Sequence, residues 1–186
     1  MGEKMNKKGF TIIEVALVLA IGGLIFLMVF VALPGLRASQ RDAERRENVN
    51  TFLNSVKKYQ SNNRGTLPGS VESANIISVT NGSAGAEATW AGFYRDYLGE
   101  NFMDPDGENY RLEVVNCGKN LNADEECEGY GNNLSDLTNA LFPNNYKMIV
   151  VLQATCFGEK TIKSSNPRKL AVLYKLEGAG VYCSNT

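Results

Sequence analysis

Lys7-Lys8-Gly9-Phe10-Thr11-Ile12-Ile13-Glu14 opens the stretch that decides the fold, and the apolar run Val15 to Leu36 completes it. That run is 22 residues long and carries no charge. At ~1.5 Å rise per residue, a helix of this length covers roughly 33 Å, enough for the ~30 Å hydrocarbon core of a bilayer. Glu14 sits at its amino end. An ionisable group in such a position is expensive and reads as functional. A secretory signal peptide explains the run poorly. Its apolar core spans about 7–15 residues before a small-x-small cleavage site, whereas this run leaves through Val31-Ala32-Leu33-Pro34-Gly35. A plain membrane anchor explains the length and leaves Glu14 unexplained.

Lys7, Lys8, Gly9, Phe10, the three residues Thr11 to Ile13, Glu14 and the long apolar helix fall at fixed offsets. In that order they resemble the amino terminus of type IV pilins and their relatives, the type II secretion pseudopilins. The resemblance covers about the first third of the chain. It implies cleavage by a prepilin peptidase between Gly9 and Phe10, loss of residues 1–9, and N-methylation of Phe10. It further implies that Glu14 pairs with the Phe10 ammonium of a neighbouring copy as a filament assembles. Physical chemistry agrees: a carboxylate buried in an apolar bundle needs a partner, and removing one member of such a pair costs about 3–5 kcal/mol. The assembly residues that the resemblance implies are therefore Phe10 and Glu14.

The rest of the composition narrows the function. Net charge is −1, so no strong field favours nucleic acid or an acidic surface. The absence of histidine removes the commonest general base and metal ligand. No triad and no phosphate-cradling glycine loop is present, so no catalytic residue and no cofactor is assigned. Lysines and arginines flank the apolar run on both sides, which leaves the charge rule for orientation undecided. The cysteines and the pilin resemblance place the amino end inside.

The fold expected is α+β, with a long amino-terminal helix packed on a small antiparallel head, similar to type IV pilins. Residues 1–9 are the leader, 10–36 the transmembrane and assembly helix, 37–64 the amphipathic half of that helix, and 65–186 the head. Gly22, Gly23 and Pro34 weaken helical bonding; the resemblance makes them candidates for local melting in a filament. Arg37 to Glu47, with charges of both signs, reads as a solvated collar. Val49, Phe52, Leu53, Val56 and Tyr59 then recur at i, i+3, i+4, i+7 and i+10, one face of an amphipathic helix. A stop is expected near Asn62-Asn63-Arg64-Gly65.

Residues 66–85, rich in Gly, Ser and Asn, read as a surface loop. A short helix over 86–98 carries Trp90, Phe93, Tyr94 and Tyr97, read as core. Asp104-Pro105-Asp106-Gly107 is a turn leading into a strand over 109–115. Asp104, Asp106 and Glu108 have the oxygen chemistry calcium prefers, but the twelfth position counted from Asp104 is Val115 rather than Glu, so no metal is assigned. A short helix is expected over 135–141, strands over 147–155 and 169–176, and a returning segment over 180–183. Short connections favour antiparallel pairing. Lys160, Lys163, Arg168, Lys169 and Lys175 give the segment between Cys156 and Cys183 a mild basic excess, read as an exposed solvated loop with DNA or an anionic surface as the sharper alternative.

Four cysteines in an exported chain point to disulfides and allow three connectivities. Zinc lacks a Cys-x-x-Cys pair. A Cys117–Cys127 bridge would staple a polar loop for about 2–4 kcal/mol. A Cys156–Cys183 bridge would tie the carboxyl-terminal segment to the sheet, and it is similar to the disulfide-bounded loop of type IV pilins. Two pairs depart from the commonest pilin pattern, which has one.

The function expected is a structural subunit: inner-membrane before assembly, then part of an extracellular helical homopolymer. Its partners would be further copies of itself, prepilin peptidase, the inner-membrane assembly machinery, and a surface, host-cell or DNA ligand. The alternatives are a minor pilin or secretion pseudopilin, and a membrane-anchored binding module that never polymerises.

Overall fold

The computed structural model describes residues 9–69, 77–79, 88–99, 102–117, 126–127, 147–177 and 180–186. The chain divides into two compact units, Met1–Ala38 and Ser39–Thr186. Helix α1 runs from Ile12 to Asn62. In the first unit it continues unbroken through Gly22, Gly23 and Pro34, and every large apolar side chain from Phe10 to Val31 is solvent-facing. By length and composition α1 is apolar enough at its amino end to cross a membrane.

In the second unit the same helix becomes amphipathic. Val49, Phe52, Leu53 and Val56 are buried and Tyr59 is partly covered, so the face read from spacing is the face that packs. After α1 come β1 (Ile77–Val79), α2 (Ala88–Phe93) with a π-helical turn at Tyr94–Leu98, β2 (Arg111–Asn116), β3 (Lys147–Leu152), β4 (Ala154–Phe157), β5 (Lys160–Lys163), β6 (Leu170–Leu176) and β7 (Gly180–Asn185). The main sheet has the order β1-β2-β3-β6-β7, and β4 pairs with β5 in a two-stranded sheet. A long amino-terminal helix followed by a mostly antiparallel sheet is the α+β layout of the type IV pilin-like fold.

Register explains why the central strands read as continuous apolar runs. Val114, Val150 and Val172 lie side by side and pack with the α1 stripe. Val115, Val151 and Ala171, one residue on, belong to a second core on the opposite face. Successive side chains alternate between faces, so a sheet covered on both sides has no polar register. The second core is closed by Ala154, Val181 and the cysteines of two disulfides, Cys117–Cys127 and Cys156–Cys183.

The structure corrects several sequence expectations. The sheet is mixed, because β2 and β3 run parallel; a long connection, 117–146, allows the crossover that short ones forbid. The expected strand over 147–155 is two strands. Gln153 takes φ +58° between them, donates its N–H to Lys169 O at 2.8 Å and accepts from Ser164 N at 2.8 Å, which turns the chain from one sheet into the other. The loop expected over 66–85 contains β1, whose Val79 is buried; three residues are too few to show a period. The basic segment is not all loop, since β5 lies within it and Thr161 is buried. The helix expected over 135–141 lies outside the described residues.

Candidate functional site

Two regions of the chain place charge where it needs an explanation. The first is the amino end. Gly9 and Phe10 precede α1, and both are exposed, Phe10 to 83%. The helix is nucleated by Thr11, whose carbonyl accepts from the amides of Glu14 at 3.1 Å and Val15 at 3.3 Å. Glu14 lies in the first turn, where the helix dipole favours an acid. Phe10, Glu14, Val15, Val18 and Leu19 border an apolar recess of about 340 Å³. Among the described residues the Glu14 carboxylate has no hydrogen bond or ion pair. A peptide bond at Gly9–Phe10 is thus open to a protease, and an acid stands by an apolar recess without an internal mate.

The second region lies in the head, and sequence reading missed its centre. Arg45, expected in a solvated collar, is fully buried. It sits four residues before Val49, so it extends the apolar stripe by one turn; that periodicity is the signal that marks it. Its Nε donates to Asp104 Oδ2 and its Nη2 to Asp104 Oδ1, both at 2.9 Å, a two-pronged grip on a carboxylate that is itself buried. Nη2 also reaches Asp106 Oδ2 at 2.8 Å, and Nη1 donates to Glu177 Oε1 and lies 3.4 Å from Asp42 Oδ1. One turn earlier, Arg41 donates to both oxygens of Glu177, at 2.7 and 2.6 Å. Tyr174 of β6 donates its hydroxyl to Asp104 Oδ2 at 2.8 Å. Asn48 donates to Tyr110 Oη at 3.0 Å and to Met103 O at 3.2 Å.

The turn at Asp104–Gly107 makes this possible. Gly107, at φ +90°, donates to Asp104 O at 2.8 Å, and the Asp106 amide donates to Asp104 Oδ1 at 3.1 Å. The loop therefore offers Asp104 and Asp106 together. A guanidinium occupies the space between them, where the sequence had raised calcium; among the described residues no group of acids, cysteines or histidines is arranged for a metal.

Charge states follow from these contacts. Burial pushes the Asp104 carboxyl up, but hydrogen bonds from Arg45, the Asp106 amide and Tyr174 outweigh it and hold the group below the usual carboxylate range. The Arg41 hydrogen bonds, helped by Arg45, hold Glu177 down to about 2. Burial and the nearby Asp104 charge push the Tyr174 hydroxyl well up, so it remains a donor. Burial disfavours the Arg45 charge, yet its bonds to Asp104 and Glu177 more than restore it. The cluster is a latch, with Asp104, Glu177 and Arg45 held in their charged forms at neutral pH, that fastens the turn and the end of β6 to α1.

The remaining candidates are structural. Trp90, Phe93 and Tyr94 are buried in the core under α1, with Tyr97 packed at its edge, and Phe93 meets Phe52 edge-on at 5.8 Å. Burial pushes the Tyr94 hydroxyl up to about 12, and its one proton is shared between Phe102 O and Tyr110 O, each 3.1 Å away. Cys127 donates its N–H to Thr161 O at 3.0 Å, and Cys156 takes the Asn185 side chain as acceptor at 3.1 Å. Each disulfide thus fastens the β4–β5 pair across the second core. Of the basic residues, Lys160 pairs with Glu126 at 3.0 Å and Lys169 donates to Thr186 O.

A family model described as "Prokaryotic N-terminal methylation motif" matches residues 4–30, the signature shared by prepilins and pseudopilins. No curated protein and no solved structure matches the chain. The motif supports a type IV pilin-like or pseudopilin precursor and implies processing by prepilin peptidase.

Proposed function

We propose that the chain is the structural subunit of a type IV pilus, cut between Gly9 and Phe10, methylated on Phe10, and polymerised through the apolar part of α1. The observation that carries this reading is Glu14: an acid on a wholly solvent-facing apolar helix, beside Phe10, with no mate among the described residues. In a bundle of copies, each Phe10 ammonium is a cation of the right charge at the right end of the helix. Burial of apolar helix faces drives association at ~25 cal/mol per Å² before entropic costs, and the Glu14–Phe10 pair sets the stagger, since a misplaced carboxylate is left desolvated and alone.

This reading has the chain act by assembly rather than catalysis, with the head coating a filament outside the cell. Adhesion, motility and DNA uptake all suit such a surface. Mass spectrometry of sheared surface filaments tests it. The expected result is this chain as the chief component, beginning at N-methylated Phe10. A trace amount would assign it to a minor pilin or secretion pseudopilin, and retention of residues 1–9 in cells with active prepilin peptidase would leave only a membrane-anchored module.

A further inference from the structure

The head carries a second feature, apart from the Arg45 latch. At one end of the main sheet, β2 and β3 finish side by side at Asn116 and Leu152, and β6 begins at Leu170, antiparallel to β3. The segment after α1 crosses this end. Together they border an open recess of about 370 Å³ lined by Leu67, Leu152 and Gln153 and, at its solvent-exposed rim, by Thr66, Pro167 and Arg168. That is near the lower end of the ~300–1,000 Å³ typical of small-ligand sites, and its mostly apolar lining with a few polar groups is also typical. Crevices beyond the carboxyl ends of parallel strands are recurrent binding places.

Arg168 is the only charged residue among the described lining. Its backbone is held at both polar atoms: Gln60 Nε2 donates to its carbonyl at 2.8 Å, and its amide donates to Asn166 Oδ1 at 2.9 Å. Its guanidinium lies against Gly65, which takes φ +79°; a Cβ there would come within 3.0 Å of Nη1. Among the described residues, no carboxylate pairs with that guanidinium, and the Gln153 side-chain amide has no partner. Arg41 and Arg45, by contrast, are saturated with acids. Behind the wall at Gly69 stands Trp90, whose Nε1 is buried with no partner among the described residues. Among the described residues the recess is therefore singly positive and partly lined by C–H surface.

From this arrangement we infer that the recess binds a single acidic sugar ring, a hexuronic acid or a sugar of the same kind. The guanidinium offers paired N–H groups to a planar carboxylate. The Gln153 amide and the Thr66 hydroxyl suit ring hydroxyls. Leu67, Leu152 and Pro167 suit the C–H face of a pyranose. One positive charge without a second cation matches a monoanion better than a phosphate dianion. The proposal rests on the head alone and holds whether or not the chain polymerises.

The test is calorimetric or NMR titration of the full chain, solubilised in detergent, with galacturonic acid, galactose and acetate as separate probes. Galacturonate is expected to saturate one site and to bind at least about tenfold more tightly than either galactose or acetate, the margin of one charge-assisted hydrogen-bonded pair plus ring contacts. Arg168→Ala should weaken galacturonate by about tenfold or more with an unchanged melting temperature, and Arg168→Lys should fall between. Equal binding of galactose would overturn the role of the carboxylate. Equal binding of acetate would overturn the sugar, leaving a bare anion site. No saturable binding, or full binding by Arg168→Ala, would overturn the site itself.

Discussion

Glu14 and Arg45 stand on the same helix and are opposites. Glu14 lies in the first unit on an exposed apolar surface, with no partner among the described residues. Arg45 lies in the second unit, fully buried, and engages Asp104, Asp106, Glu177 and Asp42. A charge placed in apolar surroundings must be compensated; what differs is where the compensation comes from. Arg45 finds it within the chain, so it belongs to the fold of the head. Glu14 has none at hand, so on our reading it belongs to assembly with another copy.

The largest expected effect comes from removing the uncompensated charge. Glu14→Leu should reduce surface filaments about a hundredfold or more, as loss of an interfacial pair of 3–5 kcal/mol implies, while the melting temperature of the head stays as it was. Quantifying sheared filaments beside a thermal melt checks both halves. Arg45→Met should do the reverse. It strands Asp104 in the core at a cost of about 3–5 kcal/mol, which for a unit of this size lowers the melting temperature by roughly 10 °C. Calorimetry of Arg45→Met, Asp104→Asn and the double variant should show less than additive losses, because both remove the same contact.

Much of this contrast was legible in the sequence, and its limits are instructive. Glu14 stands out because everything after it is apolar for 22 residues. The stripe from Val49 to Tyr59 stands out because a half-buried helix repeats every 3.6 residues. Arg45 did not, since a buried arginine among Arg41, Glu44, Arg46 and Glu47 looks like one more surface charge until Asp104, Asp106 and Glu177, 59 residues or more downstream, are brought to it. The same is true of the parallel β2–β3 pair, decided by a long connection rather than by either strand. Gln153 escaped notice because a positive φ in a non-glycine residue leaves no mark in composition. Arg168 was visible only as part of a basic excess; that no acid among the described residues pairs with it, where Lys160 and Lys169 have partners, is a fact of the fold.

Smaller effects sharpen the comparison within the head. Replacing both Cys156 and Cys183 by serine should cost about 2–4 kcal/mol from loop entropy, read as a lower denaturant midpoint, with the Arg45 latch unaffected. Acid should loosen the latch before the apolar core. Glu177 is held down to about 2 from an ordinary 4.5, and Asp104 lies below its ordinary 3.8. Their contribution is therefore complete above about pH 4.5 and is lost as pH falls toward 2. Melting temperature should be flat from pH 7 to 5 and drop below that, and Glu177→Gln should make the drop shallower.

The central claim is that Glu14 is compensated by the next copy of the chain. A filament reconstruction resolving side chains measures this directly. The account predicts the Glu14 carboxylate within about 4 Å of the N-methylated Phe10 amine of a neighbouring subunit, the ordinary ion-pair distance. A filament in which that carboxylate faces only apolar side chains or solvent, with every Phe10 amine elsewhere, would contradict it.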